Sequence, residues 1–189
     1  MIKKSVLTGL IFFLSFFPAH AADTAELIQS VDEVQALYEL MLAYENGEID
    51  LTEEELLALK AEVLGDMTAD EVFKQVGEAE KYFLLIRKIV PEPLAAFWTR
   101  AIAVARDDSL TGGEKVEALQ EDGNEIEGPC IFFVKLMGYV VMVGQIAKFL
   151  SLTIIGAIIG IPVAIFVIIT KNIVFFLWVF CLLNNLNTF

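Results

Sequence analysis

The chain has 189 residues, of which 57% are hydrophobic, and a formal net charge of −13. That length holds one ordinary domain and an appendage, and the apolar content is too high for a purely soluble one. The acidic balance argues against nucleic acid as a partner.

The first 21 residues, MIKKSVLTGLIFFLSFFPAHA, place Lys3 and Lys4 before an apolar run from Val6 to Phe17, then a proline and Ala19-His20-Ala21. This is the layout of a secretory signal peptide with cleavage after Ala21. The apolar run is shorter than the roughly 17 to 25 residues of a membrane span, which disfavours the competing reading of an N-terminal anchor. No cysteine follows the cleavage position, so lipoprotein processing is not indicated.

All 26 acidic residues lie between Asp23 and Glu127, where they meet eight basic ones for a local formal charge of −18. A region so charged repels anionic lipid head groups at long range and attracts cations or a basic protein face. The plainer reading is that the charge keeps a small helical domain soluble.

Residues 22–122 read as an acidic helical domain. LTEEEL (51–56), MTADEV (67–72) and LTGGEK (110–115) each pair a threonine with a glutamate three places on, the pattern of a capping box. Leu51 with Leu56 and Met67 with Val72 add a hydrophobic staple. Apolar residues then recur in steps of three and four, as in Val72, Val76, Ala79, Phe83, Ile86 and Val90. Asn46-Gly47, Gly65 and Pro91/Pro93 supply stops. The spacing predicts helices over 24–46, 53–64, 69–90, 93–106 and 113–121. No strand alternation or regular repeat competes. A bundle or stacked helical hairpins follow, and EDGNEIEGP (121–129) reads as a linker, with 123–129 wholly outside the domain.

Two stretches invite a metal reading. ENGEIDLTEEEL resembles the second half of an EF-hand loop through Asn46, Gly47, Ile49, Asp50 and Glu53, but Leu42 and Tyr44 stand where two oxygen ligands belong. RDDSLTGGEKVEAL has Ala118 where the bidentate carboxylate belongs. A helix stop and an acidic loop account for both, so no metal or cofactor is expected.

An enzyme is not expected either. His20 is the single histidine and departs with the signal peptide, leaving no imidazole for a base, a dyad or a zinc site. Ser30, Ser109 and Ser151 lack a nucleophile-elbow context, and no phosphate-binding glycine loop occurs in the acidic region.

Residues 130–187 form the hydrophobic region. From Cys130 to Leu183 one straight helix would measure about 80 Å at roughly 1.5 Å per residue, against a bilayer core about 30 Å thick. It has to turn, and helix is the conformation that satisfies its backbone in lipid. One register bends at Gly156–Pro162 and gives spans of about 131–154 and 163–184. The other treats 149–170 as a span bracketed by Lys148 and Lys171, with 131–147 as a preceding span or interfacial helix and 173–187 re-entrant. The first divides the length better; the second keeps the lysines near water, avoiding about 2.5–3.5 kcal/mol for a central lysine.

The sequence-level fold is therefore all-α: an exported acidic bundle followed by a C-terminal transmembrane hairpin. Gly156 and Gly160 fit small-xxx-small packing, which allows homo-oligomers through the membrane helices, and equally mark a bend. Cys130 and Cys181 lie at similar distances on either side of Gly156, so a hairpin brings both to one side, where an oxidising compartment allows a disulfide. Lys135, Lys148 and Lys171 are the candidate membrane-embedded charges.

These features point to the bacterial inner membrane, with the acidic domain in the periplasm as a binding or scaffold module of a cell-envelope assembly. Its partners are the bilayer and another protein. The alternative is an oligomeric pore-forming or permeabilising protein with an acidic regulatory domain. Its apolar hairpin is similar in architecture to those of pore-forming toxins, although no motif assigns a family.

Overall fold

The computed structural model describes residues 24–124, 130–151 and 154–186. The signal peptide reading, with His20 and Ala21, falls outside them, as do residues 125–129 of the expected linker. Among the described residues the chain is all-helical: α1 Thr24–Glu45, α2 Glu53–Leu64, α3 Ala69–Ile86, α4 Glu92–Ala105, α5 Gly112–Asn124, α6 Ile131–Ser151 and α7 Ile154–Leu186.

The helix starts follow from local chemistry. Thr52, Thr68 and Thr111 each donate a backbone amide to the glutamate three residues on, at 2.8, 2.8 and 2.7 Å. The amides of Glu55, Glu71 and Glu114 return to the threonine hydroxyls at 3.3 Å. Each pair satisfies two amides that an uncapped helix leaves without partners. Gly47 and Gly65 end α1 and α2 at φ 71° and 60°, a region where a Cβ is strained.

Helix α3 ends at Ile86, four residues before the expected stop. Pro91 disfavours helical geometry at Val90, and the chain tightens into a turn in which the Ile89 amide donates to the Ile86 carbonyl at 2.9 Å. Helix α5 in turn runs on through 121–124, part of the stretch expected to be linker. Gln120, buried in its third turn, donates to the Leu177 carbonyl of α7 at 3.4 Å and ties this end of α5 to the core.

The helix is not broken across Gly156–Pro162, the stretch expected to separate the two spans. Helix α7 runs through Gly156, Gly160 and Pro162, and α6 ends before it at Ser151; residues 152–153 lie outside the described ones. A proline in a helix forfeits one amide bond, whereas unwinding a packed apolar helix would strand several backbone groups.

The core also differs from two separate layers. Val34, Val72, Phe83, Leu94, Trp98 and Leu119 of the acidic helices join Phe133, Met137, Phe166, Phe175 and Trp178 of the apolar helices in one buried cluster. The expected boundary at 122–130 therefore does not divide two cores among the described residues. Helix α7 packs along α6 and is also contacted by α1, α2, α3 and α5. Amphipathicity drives this most clearly in α3 and α4, which bury Val72, Val76 and Phe83, and Leu94, Trp98 and Ala101, along one side.

Candidate membrane-inserting element

Helices α6 and α7 contain two segments long and apolar enough to cross a membrane, Ile131–Leu150 and Gly160–Leu186. Protein covers them unequally. In the most apolar stretch of the second, 67% of positions are buried, against 44% in the first. The outward side of α6 exposes Ile131, Met142 and Phe149.

Halfway along Gly160–Leu186 the apolar run is broken by Thr170, Lys171 and Asn172. A neighbouring helix supplies a partner for Thr170. Trp98 of α4, fully buried, donates its indole N–H to the Thr170 hydroxyl at 3.2 Å, and that hydroxyl donates to the Phe166 carbonyl at 2.6 Å. Lys171 is buried, and the carboxylate of Glu33 on α1 provides an opposing charge. Asn172 Oδ1 is buried without a hydrogen-bond partner. A polar group in an apolar setting costs free energy unless it is bonded, so the Trp98 contact ties α4 to one level of α7.

Aromatic contacts extend the seal. The ring of Phe166 lies 5.0 Å from Trp98 and 6.1 Å from Phe83, centroid to centroid. At the far end Tyr44 meets Trp178 edge-on at 5.7 Å, and the Trp178 N–H reaches Glu45 Oε1 at 3.4 Å. Burial, with Glu45 and Asp50 nearby, raises the Tyr44 hydroxyl above its ordinary pKa. Lys60 of α2 sits 5.5 Å over the Phe176 ring.

The three candidate lysines occupy three different settings. Lys135 is exposed, Lys148 is half-buried and ion-paired with Asp32 of α1, and Lys171 is buried. Beside the Lys148 pair, Gln145 donates to Gln35 at 3.2 Å. Cys130 and Cys181 are joined in a disulfide across 51 positions, linking the start of α6 to the last part of α7. The Asn185 amide donates to the Cys130 sulfur at 3.3 Å.

Gly156 and Gly160 both sit within α7, Gly160 in a buried position. A close helix approach occurs instead at Gly138 of α6, where an added Cβ would stand 3.3 Å from the Tyr38 ring of α1. Sequence reasoning did not single out Gly138, Trp98 or Thr170. The one available signal was a tryptophan on the apolar face of α4 and a polar triplet interrupting an apolar run.

The EF-hand-like loop is occupied by the α1 stop and the Thr52 capping box. Among the described residues no group of three or more His, Cys, Asp or Glu side chains could hold a metal ion. Comparison with protein-family models, curated proteins and solved structures finds no match.

Proposed function

We propose that this is a membrane-inserting protein whose acidic helices sheath an apolar helix pair until it enters a bilayer, where it permeabilises the membrane. The observation carrying this reading is α7, apolar enough to span yet packed among helices whose outer faces are charged. In this packing about two thirds of the apolar stretch of α7 is covered by protein instead of lipid. Entry requires α1 to α5 to separate from α6 and α7, and the α6–α7 pair then inserts as a hairpin.

The driving force is available. The apolar surface of α6 and α7 loses little on moving from protein to hydrocarbon, while backbone bonds within a helix survive the transfer. What opposes entry is the set of polar ties: Trp98 to Thr170, Gln35 to Gln145, and Asp32 to Lys148. A sheath opened by loss of these ties releases a pair still joined at its base by Cys130–Cys181. The disulfide also supports an exported, oxidising location in the bacterial envelope, in keeping with the signal peptide reading.

The test is dye release from vesicles by the full chain carrying Gln35→Cys and Gln145→Cys. These positions join α1 to α6 through a hydrogen bond. A cleavable bis-maleimide across them should suppress release, and cleaving the linker should restore it. Equal release with the linker intact would show that the sheath need not open.

A second reading, a membrane-anchored scaffold that recruits a protein through its acidic helices, is favoured by α2. Its exposed face carries Glu53, Glu54 and Glu62 around an exposed Leu57. Capture of a basic partner by the full chain, abolished by Leu57→Ser with dye release unchanged, would support it.

A further inference from the structure

We infer that the end of the bundle formed by the α3–α4 turn and the last turn of α6 is a docking surface for an anionic lipid bilayer. The inference deepens the membrane-inserting reading and rests on it for the step that follows docking.

Three contacts place these pieces at one level of the bundle. Phe83 stacks on Phe166, while Phe73, ten residues earlier in α3, lies under Lys115 of α5, the helix whose Gln120 reaches Leu177. Helix α3 therefore runs opposite to α7, from the level of Leu177 toward that of Phe166 and beyond. The Cys130–Cys181 bond fixes the other pair of levels. Counting from it along two helices of equal rise, Phe149 comes level with about residue 162, where the last turn of α3 also arrives.

That end is unlike the rest of the surface. Leu85 and Phe149 are each 74% exposed and Leu84 is 59% exposed. Ile89 is exposed beside them, and Arg87 and Lys88 stand between the leucines and the isoleucine. Among the described residues neither of these two cations is ion-paired. Large exposed apolar side chains concentrated at one end of a bundle mark an interaction surface, and the cations flanking Leu84, Leu85 and Ile89 specify an anionic, apolar partner: the head-group and acyl boundary of a bilayer.

Charge elsewhere orients the approach. Asp66, Asp70, Asp107 and Asp108 lie at the opposite end, where α3 begins and α4 finishes. At the docking end Glu92 is exposed on the same turn and Glu33 is exposed beside Asp32, which is neutralised by Lys148. The molecule is thus polarised, with those four aspartates turned away from an anionic surface when this end faces it. Screening within about 8 Å at physiological salt confines the repulsion of the distant carboxylates.

The experiment is flotation of the full chain with phosphatidylcholine vesicles and with vesicles also containing phosphatidylglycerol. The wild type should prefer the anionic vesicles, and added salt should weaken that preference. R87Q/K88Q should lower partition onto them about 30-fold, two cations being worth about 1 kcal/mol each. L85S/F149S should lower partition onto both compositions, with unfolding midpoints reported as the folding control.

The inference is overturned if R87Q/K88Q partitions as the wild type does, or if the two vesicle types bind equally. It is also overturned if L85S/F149S turns an oligomer into a monomer and leaves vesicle binding intact, which would make the surface a contact between copies. Alkaline carbonate extraction separates this from insertion. Charge-dependent flotation that carbonate removes keeps the docking surface and defeats the insertion reading; carbonate-resistant protein indifferent to R87Q/K88Q does the reverse.

Discussion

The indole N–H of Trp98 in α4 donates to the Thr170 hydroxyl in α7, 3.2 Å away and 72 positions along the chain. One hydrogen bond thus joins the acidic half of the sequence to the middle of its most apolar helix. Trp98→Phe keeps most of the ring and removes the donor, and should cost about 1 kcal/mol in urea unfolding. Thr170→Val should cost a similar amount, and the double variant should fall well short of the sum. Full additivity would mean that α4 and α7 do not meet in solution.

The bond between Cys130 and Cys181 closes a loop of 51 positions in a chain whose other described helices bear on the same core. Chain-entropy arguments give about 4 kcal/mol for a loop of that size, with measured values commonly lower. Reductant, or Cys130→Ser with Cys181→Ser, should lower the urea midpoint accordingly. An unmoved midpoint would show that the two cysteines are not joined in the folded protein.

Gly138 lets α1 approach α6, because a Cβ there would stand 3.3 Å from the Tyr38 ring. Gly138→Leu should separate the two helices and destabilise the fold by about 1–3 kcal/mol. If α1 holds the sheath shut, the same variant should release vesicle contents faster than the wild type. Stability loss with no gain in release would detach α1 from gating.

Acid should loosen the sheath. The amides of Thr52, Thr68 and Thr111, and next their hydroxyls, hold the carboxyls of Glu55, Glu71 and Glu114 below the ordinary glutamate range. A carboxyl whose folded pKa is depressed stabilises the fold above its unfolded pKa, and loses that contribution as pH falls through the folded value. Unfolding midpoints should therefore drop below about pH 4.5. In E55Q/E71Q/E114Q the drop should be shallower, since glutamine keeps a hydrogen bond to the threonine amide without titrating. Identical acid profiles for both chains would place the pH sensitivity elsewhere.

Much of the local architecture was legible in the sequence. Thr52, Thr68 and Thr111 begin helices because their partners are three residues away, and Gly47 and Gly65 end helices because a positive φ requires a residue without a Cβ. The end of α3 was less legible, since it depended on how far the restriction from Pro91 reached back. Pro162 misled for the opposite reason: its lost hydrogen bond is a local cost, and the packing that outweighs it is not local.

What the sequence determined by itself is the identity of the helices and the presence of two that are apolar enough to span a membrane, because caps, stops and periodicity act over a few residues. Only the tertiary structure decided what those two helices rest against. Burial of apolar surface has no direction and is satisfied about equally by lipid or by the stripe of another helix, so Val163, Phe166 and Val167 read the same in either setting. The choice was made by side chains that do have direction: the Trp98 indole, the Asp32 carboxylate and the Tyr38 ring, each distant in sequence from the α6 or α7 position it meets.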